Sequence, residues 1–140
     1  MATSFHTSRM VEFSDTDMAG IMHFSAFFRY MEAAEHELLR SFGFSVYTEI
    51  DDDVVSFPRV AAKCDFHSPA RREDVLDIDV TVSRVGTKSV TYGFAFSQHG
   101  RRVATGEMTS VCCRVPHGKP PVSIPIPGAI ATKLRELASS

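Results

Sequence analysis

The chain has 140 residues, 44% hydrophobic and 23% charged, enough apolar material for a self-supporting core and too much for a disordered chain. Fifteen Lys plus Arg against seventeen Asp plus Glu leave a net charge of −2, without the basic excess of a nucleic-acid binder. No apolar run approaches the roughly 18–20 residues of a membrane span, and the opening MATSFHTSRMVEF lacks the basic-then-apolar pattern of a secretory signal.

No repeat, low-complexity tract or linker interrupts the chain, so residues 1–140 read as one domain. Residues 5–13 alternate, with Phe5, Thr7, Arg9, Val11 and Phe13 on one side, which predicts a strand. The stretch 14–20, SDTDMAG, is loop chemistry. The period then changes. Phe24, Phe28, Met31, Leu38 and Phe42 recur at three- and four-residue spacing, widened by Phe27, Ala34 and Leu39, which predicts an amphipathic helix over residues 25–42. Ser25 is its expected N-cap and Gly43 its expected stop. Glu35 breaks the apolar stripe and is hard to explain as packing.

The remainder reads as strands. Residues 54–66 form one, with Pro58 at an edge or bulge. Leu76, Ile78, Val80 and Val82 alternate, as do Val90, Tyr92, Phe94 and Phe96, and residues 85–88 and 98–101 are the turns between strands. A long last strand covers 102–115, with Val103, Thr105, Glu107, Thr109, Val111, Cys113 and Val115 sharing a face. Pro116, Pro120, Pro121, Pro125 and Pro127 mark an extended tail before a short helix over 130–137. This order, strand, long helix and then four strands, is an α+β layout in which an antiparallel sheet of about five strands wraps a central helix. Such a sheet has open edges, so pairing with a second copy is expected.

Three cysteines without a CxxC or a Cys/His cluster of zinc spacing point to a reducing, cytoplasmic setting and to no metal. Cys112 and Cys113 are expected to pack, one toward the core and one away from it.

The chemistry concentrates where the first strand meets the helix. A helix start offers unpaired N–H groups and partial positive charge, suited to a negative oxygen. Asp17 lies just upstream. Two roles are open to it, an ordinary turn residue or the carboxylate of an acyl-transfer site; Asp15 reads as a turn or cap residue.

Asp15-Thr16-Asp17-x-x-Gly20-Ile21, an aromatic-rich helix and the later Ser68-Pro69-Ala70-Arg71 with Asp74 together resemble the 4-hydroxybenzoyl-CoA thioesterase family of hotdog-fold acyl-CoA thioesterases. The resemblance implies a hotdog fold and hydrolysis of an acyl-CoA with no cofactor, coenzyme A being part of the substrate. It implies Asp17 as nucleophile or base and the Phe24 backbone N–H as oxyanion donor, with Gly20 letting the loop approach the thioester. It places sites between subunits of a homodimer or homotetramer. Where many members have Val then Tyr or Trp, this chain has Met22 and His23, and where some have His it has Phe24. His23 either touches water or substrate beside Asp17, or is a partly buried histidine with a backbone partner. Lys88, Arg84 and Arg71 are the expected coenzyme A contacts, with Arg72 nearby. Glu35 either hydrogen-bonds a loop or a neighbouring subunit or is a catalytic carboxylate on the helix, and Glu32 is expected to have a structural partner. Two other functions stay open: a hotdog hydratase or dehydratase, for which His23 with Glu35 is the available pair, and a non-catalytic acyl-CoA binding module.

Overall fold

The computed structural model describes residues 4–50 and 52–138. The reading of the N-terminus as free of a secretory signal rests partly on residues 1–3, which lie outside the described residues. In chain order the elements are β1 (Phe5–Met10), a 3₁₀ turn (Phe13–Asp15), α1 (Ala26–Ser41), β2 (Tyr47–Ile50), β3 (Asp53–Ser56), β4 (Arg59–Phe66), β5 (Val75–Val85), β6 (Ser89–Gln98), β7 (Arg101–Val111), β8 (Cys113–Val115), β9 (Val122–Ser123) and α2 (Gly128–Ala138).

A five-stranded antiparallel sheet runs β1-β5-β6-β7-β4, with α1 against one face. The hotdog layout expected from the sequence is the observed one. The pleat explains the partition of side chains. Ile78, Val80 and Val82 of β5, Tyr92, Phe94 and Phe96 of β6, and Ala104 and Met108 of β7 are buried with Tyr30, Met31, Leu38 and Leu39 of α1. Gly106 permits the closest approach, because a Cβ there would overlap Met31 Sδ. The opposite face carries Thr91 and Thr109, whose hydroxyls meet at 2.9 Å. At the β6–β7 turn His99 and Gly100 both take positive φ, 47° and 78°, the geometry of a tight hairpin.

Several expectations need correction. The first strand ends at Met10, short of Phe13, because Glu12 and Asp15 cap one another reciprocally and fold the chain into the 3₁₀ turn. Residues 54–66 are two strands in two sheets. Phe57 and Pro58 separate them, and Pro58 has no N–H to continue a ladder. The last long strand breaks at Cys112, whose N–H donates to the Lys88 carbonyl and whose carbonyl accepts from Ile124. There the chain passes from the large sheet to a small one, β2-β3-β8-β9, and the alternation fails: Cys112 and Cys113 are both buried. The short strands β2 and β9 had no clear periodic signal. Ser25 occupies the N-cap position, but its hydroxyl pairs with His23 instead of capping. Phe24, placed in the buried stripe, is 61% exposed, since it precedes the first helical turn. Gly43 does end α1, at φ +87°, with its N–H on the Arg40 carbonyl.

Glu35 is fully buried, and the fold explains it. Arg59 from β4 forms a short ion pair with its Oε1, and Ser110 Oγ from β7 donates to Oε2 at 3.0 Å. Burial pushes the Glu35 carboxyl above its ordinary pKa; Arg59 and Ser110 draw it back only in part. Arg59 also reaches His36 Nε2 at 2.9 Å and Glu32 at 3.7 Å, which gives Glu32 its structural partner.

Candidate functional site

The segment between β1 and α1 is pinned to the segment before β5. Val11 N–H donates to the Asp74 carbonyl at 2.8 Å, Glu73 N–H returns to Val11 at 2.7 Å, and Met22 N–H donates to Ala70 at 2.7 Å. Ile21 pairs with Arg71 in an isolated bridge. Asp15 anchors the other side. It is 3% exposed, and its carboxylate accepts from the Tyr30 hydroxyl at 2.5 Å, the Glu12 N–H at 3.0 Å and the Arg29 guanidinium at 3.0 Å. Burial alone would raise its pKa, but these three donors outweigh it and hold the carboxyl below the usual range. The Tyr30 phenol, buried against that carboxylate, is held protonated well above the ordinary tyrosine range. Asp15 is thus the cap residue the sequence indicated, and its carbonyl also receives the His23 N–H at 2.7 Å. Tyr30 and Arg29 were not singled out from the sequence; their pairing with Asp15 needs the helix folded back on the loop.

The depressed Asp15 pKa has a definite sign. The folded value lies below the unfolded one of about 3.9, so the stabilisation is complete above that pH and is lost as pH falls through the folded value. Urea midpoints measured from pH 7 downward should therefore fall in acid for the wild type. In Asp15→Asn the midpoint should be lower at pH 7 and this part of the acid dependence absent. An unchanged acid slope would contradict the assignment.

Within this frame Asp17 is half-buried in a tight turn. Its Oδ1 accepts the Ala19 N–H at 2.8 Å, its N–H donates to Ile21 at 2.8 Å and its carbonyl accepts from Gly20 at 3.0 Å. Gly20 makes the turn at φ +79° with open space where a Cβ would stand. Oδ2 takes no hydrogen bond among the described residues. At the start of α1 the Phe24 N–H is likewise without a partner among the described residues. His23 Nδ1 lies 3.2 Å from the Ser25 backbone N–H and 2.8 Å from its hydroxyl. A backbone N–H only donates, so Nδ1 accepts and the ring is the neutral Nε2–H tautomer. The ring stacks on Phe24 at 4.6 Å.

Asp17, Gly20, His23, Phe24, Arg71 and Arg72 all line one open cleft of about 1350 Å³. A second cavity of about 430 Å³ shares Asp17 and Phe24 with it. The sequence-predicted loop residues and Arg71 are therefore brought together. Lys88 and Arg84 are not. Arg71 precedes β5 and Lys88 follows it, so the 11 residues of that strand separate them by roughly 35 Å at about 3.3 Å per residue. Glu35 has no contact with His23; it is committed to Arg59 and Ser110, so the pair needed for a hydratase is not assembled within the chain. Burial pushes the Cys112 thiol up to about 11, the opposite of an activated nucleophile. Among the described residues no three His, Cys, Asp or Glu side chains come together as metal ligands, and no helix is long and apolar enough to cross a membrane.

The profile of the Thioesterase-like superfamily matches residues 11–134. An Aquifex aeolicus (strain VF5) protein, provisionally named an esterase, is 32% identical over 84% of this chain and 88% of its own. A 1,4-dihydroxy-2-naphthoyl-CoA hydrolase of Prochlorococcus marinus (strain MIT 9313) is 29% identical over 79% of this chain and 83% of its own. Among solved structures, a gentisyl-coenzyme A thioesterase superposes with a TM-score of 0.82 at 28% identity, covering 93% of this chain and 99% of its own. The 1,4-dihydroxy-2-naphthoyl-CoA thioesterase of Synechocystis superposes at 0.81 and 26% identity, covering 96% and 97%. The likeness read from the sequence to the 4-hydroxybenzoyl-CoA thioesterases thus holds at the level of the superfamily.

Proposed function

The chain belongs to the Thioesterase-like superfamily, and from that membership we propose that it hydrolyses an acyl-CoA thioester to the free acid and coenzyme A, with Asp17 and the Phe24 N–H as the reacting pair. What carries the reading is one juxtaposition: Asp17 and Phe24 line the same two cavities, and among the described residues Asp17 Oδ2 and the Phe24 N–H have no hydrogen-bond partner.

The chemistry follows from the parts. Asp17 Oδ2 attacks the thioester carbonyl, or takes a proton from a water that does. The carbonyl oxygen gains negative charge and is met by the Phe24 N–H and the positive end of α1. The carbon–sulfur bond then breaks, and the thiolate leaves without needing a strong general acid. On the nucleophile route water next opens the acyl–Asp17 anhydride. The neutral His23 ring keeps its Nε2–H available for water at the cleft.

A second copy completes the picture. β4 is an edge strand with Val60 63% exposed, and pairing it with another copy would satisfy its free backbone groups. Lys88 and Arg84 could contact coenzyme A only in a neighbouring subunit's site. Three free cysteines suit a reducing compartment such as the cytoplasm. The test is thiol release from a panel of aromatic and aliphatic acyl-CoAs. Turnover of at least one member is expected, and no release from any would overturn the proposal.

A further inference from the structure

The two cavities that meet at Asp17 and Phe24 differ in character. The larger is rimmed by Arg71 and Arg72. The Arg71 side chain has no hydrogen bond or ion pair among the described residues, and Arg72 has one loose contact, 3.9 Å to Glu73. The smaller is walled by Ile21, Met22, Phe24, Phe27 and Phe66. Phe27 meets Phe66 edge-on at 5.2 Å and Phe96 at 5.3 Å, so Phe27 is locked while Phe66, on the edge strand, keeps 49% of its surface uncovered. Besides Asp17, two polar side chains border this chamber and both are engaged. Ser68 Oγ donates to the Arg102 carbonyl at 2.5 Å and accepts from Arg101 at 2.7 Å, and the His67 ring bonds Thr105 Oγ1 at 3.0 Å. Apart from Asp17, the chamber offers apolar contact and a volume fit for a compact ligand group.

We propose that the substrate lies across the Asp17–Phe24 boundary, its acyl group in the Phe27–Phe66 chamber and its anionic carrier along Arg71 and Arg72, with Phe66 setting acyl preference. This rests on the proposed hydrolysis, because the thioester carbonyl is the point where the chambers join. Guanidinium groups bind phosphate oxygens whatever acyl group is attached. Contact with Phe66 scales with the acyl surface it covers.

The two ends are therefore separable by calorimetry with coenzyme A, S-acetonyl-CoA and S-phenacyl-CoA, whose thioethers cannot be hydrolysed. Wild-type protein should bind the phenacyl compound about tenfold or more tighter than the acetonyl one. Phe66→Ala, which removes the wall, and Phe66→Trp, which fills the chamber, should each erase most of that preference and leave coenzyme A affinity within about twofold. The double variant Arg71→Ser/Arg72→Ser should weaken all three by one common factor, about tenfold, with the preference kept. A preference untouched by both Phe66 variants overturns the assignment, as does an arginine variant that alters the preference and not coenzyme A binding. Thiol release is read separately. The expected binding pattern without release would overturn hydrolysis alone; release without the pattern would overturn the chamber assignment alone.

Discussion

Asp17→Asn should abolish most thioester hydrolysis while leaving the protein folded. The substitution is nearly isosteric, and the turn survives it: the Oδ1 that accepts the Ala19 N–H at 2.8 Å becomes an amide oxygen, which accepts equally well. Gly20 keeps its positive φ and the Asp15 anchor is untouched. What disappears is the negative charge and basicity on Oδ2. If Asp17 acts as a base on water, kcat should fall by about 10²–10⁴, the usual contribution of such a group. A fall approaching 10⁶ would instead indicate a nucleophile, whose loss removes the covalent route altogether. KM should move much less than kcat, because the carrier and acyl contacts remain. Thiol release on the best acyl-CoA, beside matched circular dichroism and thermal unfolding, reads all of this. A folded variant with full activity would remove Asp17 from the mechanism.

The second large effect concerns stability and lies away from the cleft. Arg59→Met should cost about 3–5 kcal/mol at pH 7, because it leaves the Glu35 carboxylate buried without its cation. The sign of its pH dependence is fixed by Glu35. The folded pKa is already raised by burial, and losing Arg59 raises it further. A raised folded value means the neutral acid is tolerated below the unfolded pKa of about 4.3, and stability is lost as pH climbs toward the folded value. The difference between wild type and Arg59→Met should therefore be small near pH 4 and grow toward neutrality. Adding Glu35→Gln should recover much of the loss, since a neutral amide still accepts from Ser110. Urea titrations of the three proteins across that pH range decide it. A pH-independent loss, or no rescue in the double variant, would show that Arg59 acts through packing alone. Because Arg59 begins the edge strand β4, the same ion pair ties that strand to α1 across the sheet.

Some of this was legible in the residues as they stand in line. Period two changing to period three-and-four after Gly20 announced a strand, a turn and a long helix, and Gly43 marked its end. The Asp17–Gly20 segment could be placed at the helix start because capping, turn and periodicity signals act between residues a few positions apart. Each choice is made locally, by backbone sterics and by which side chains share a face. Other features depended on distant segments meeting. Glu35 broke the stripe for no local reason; its partners stand 24 and 75 positions away, on two strands that adjoin only in the folded sheet. The apparent strand over 54–66 was divided at Phe57 and Pro58 because each half found a different partner strand. Among the loop cations Lys88 stood ahead of Arg71 as a coenzyme A contact, yet Arg71 lines the cleft and the 11-residue strand β5 carries the chain away from it before Lys88. Short-range periodicity thus determined which elements form, while long-range strand pairing, which has no fixed sequence separation, decided which side chains share a cavity.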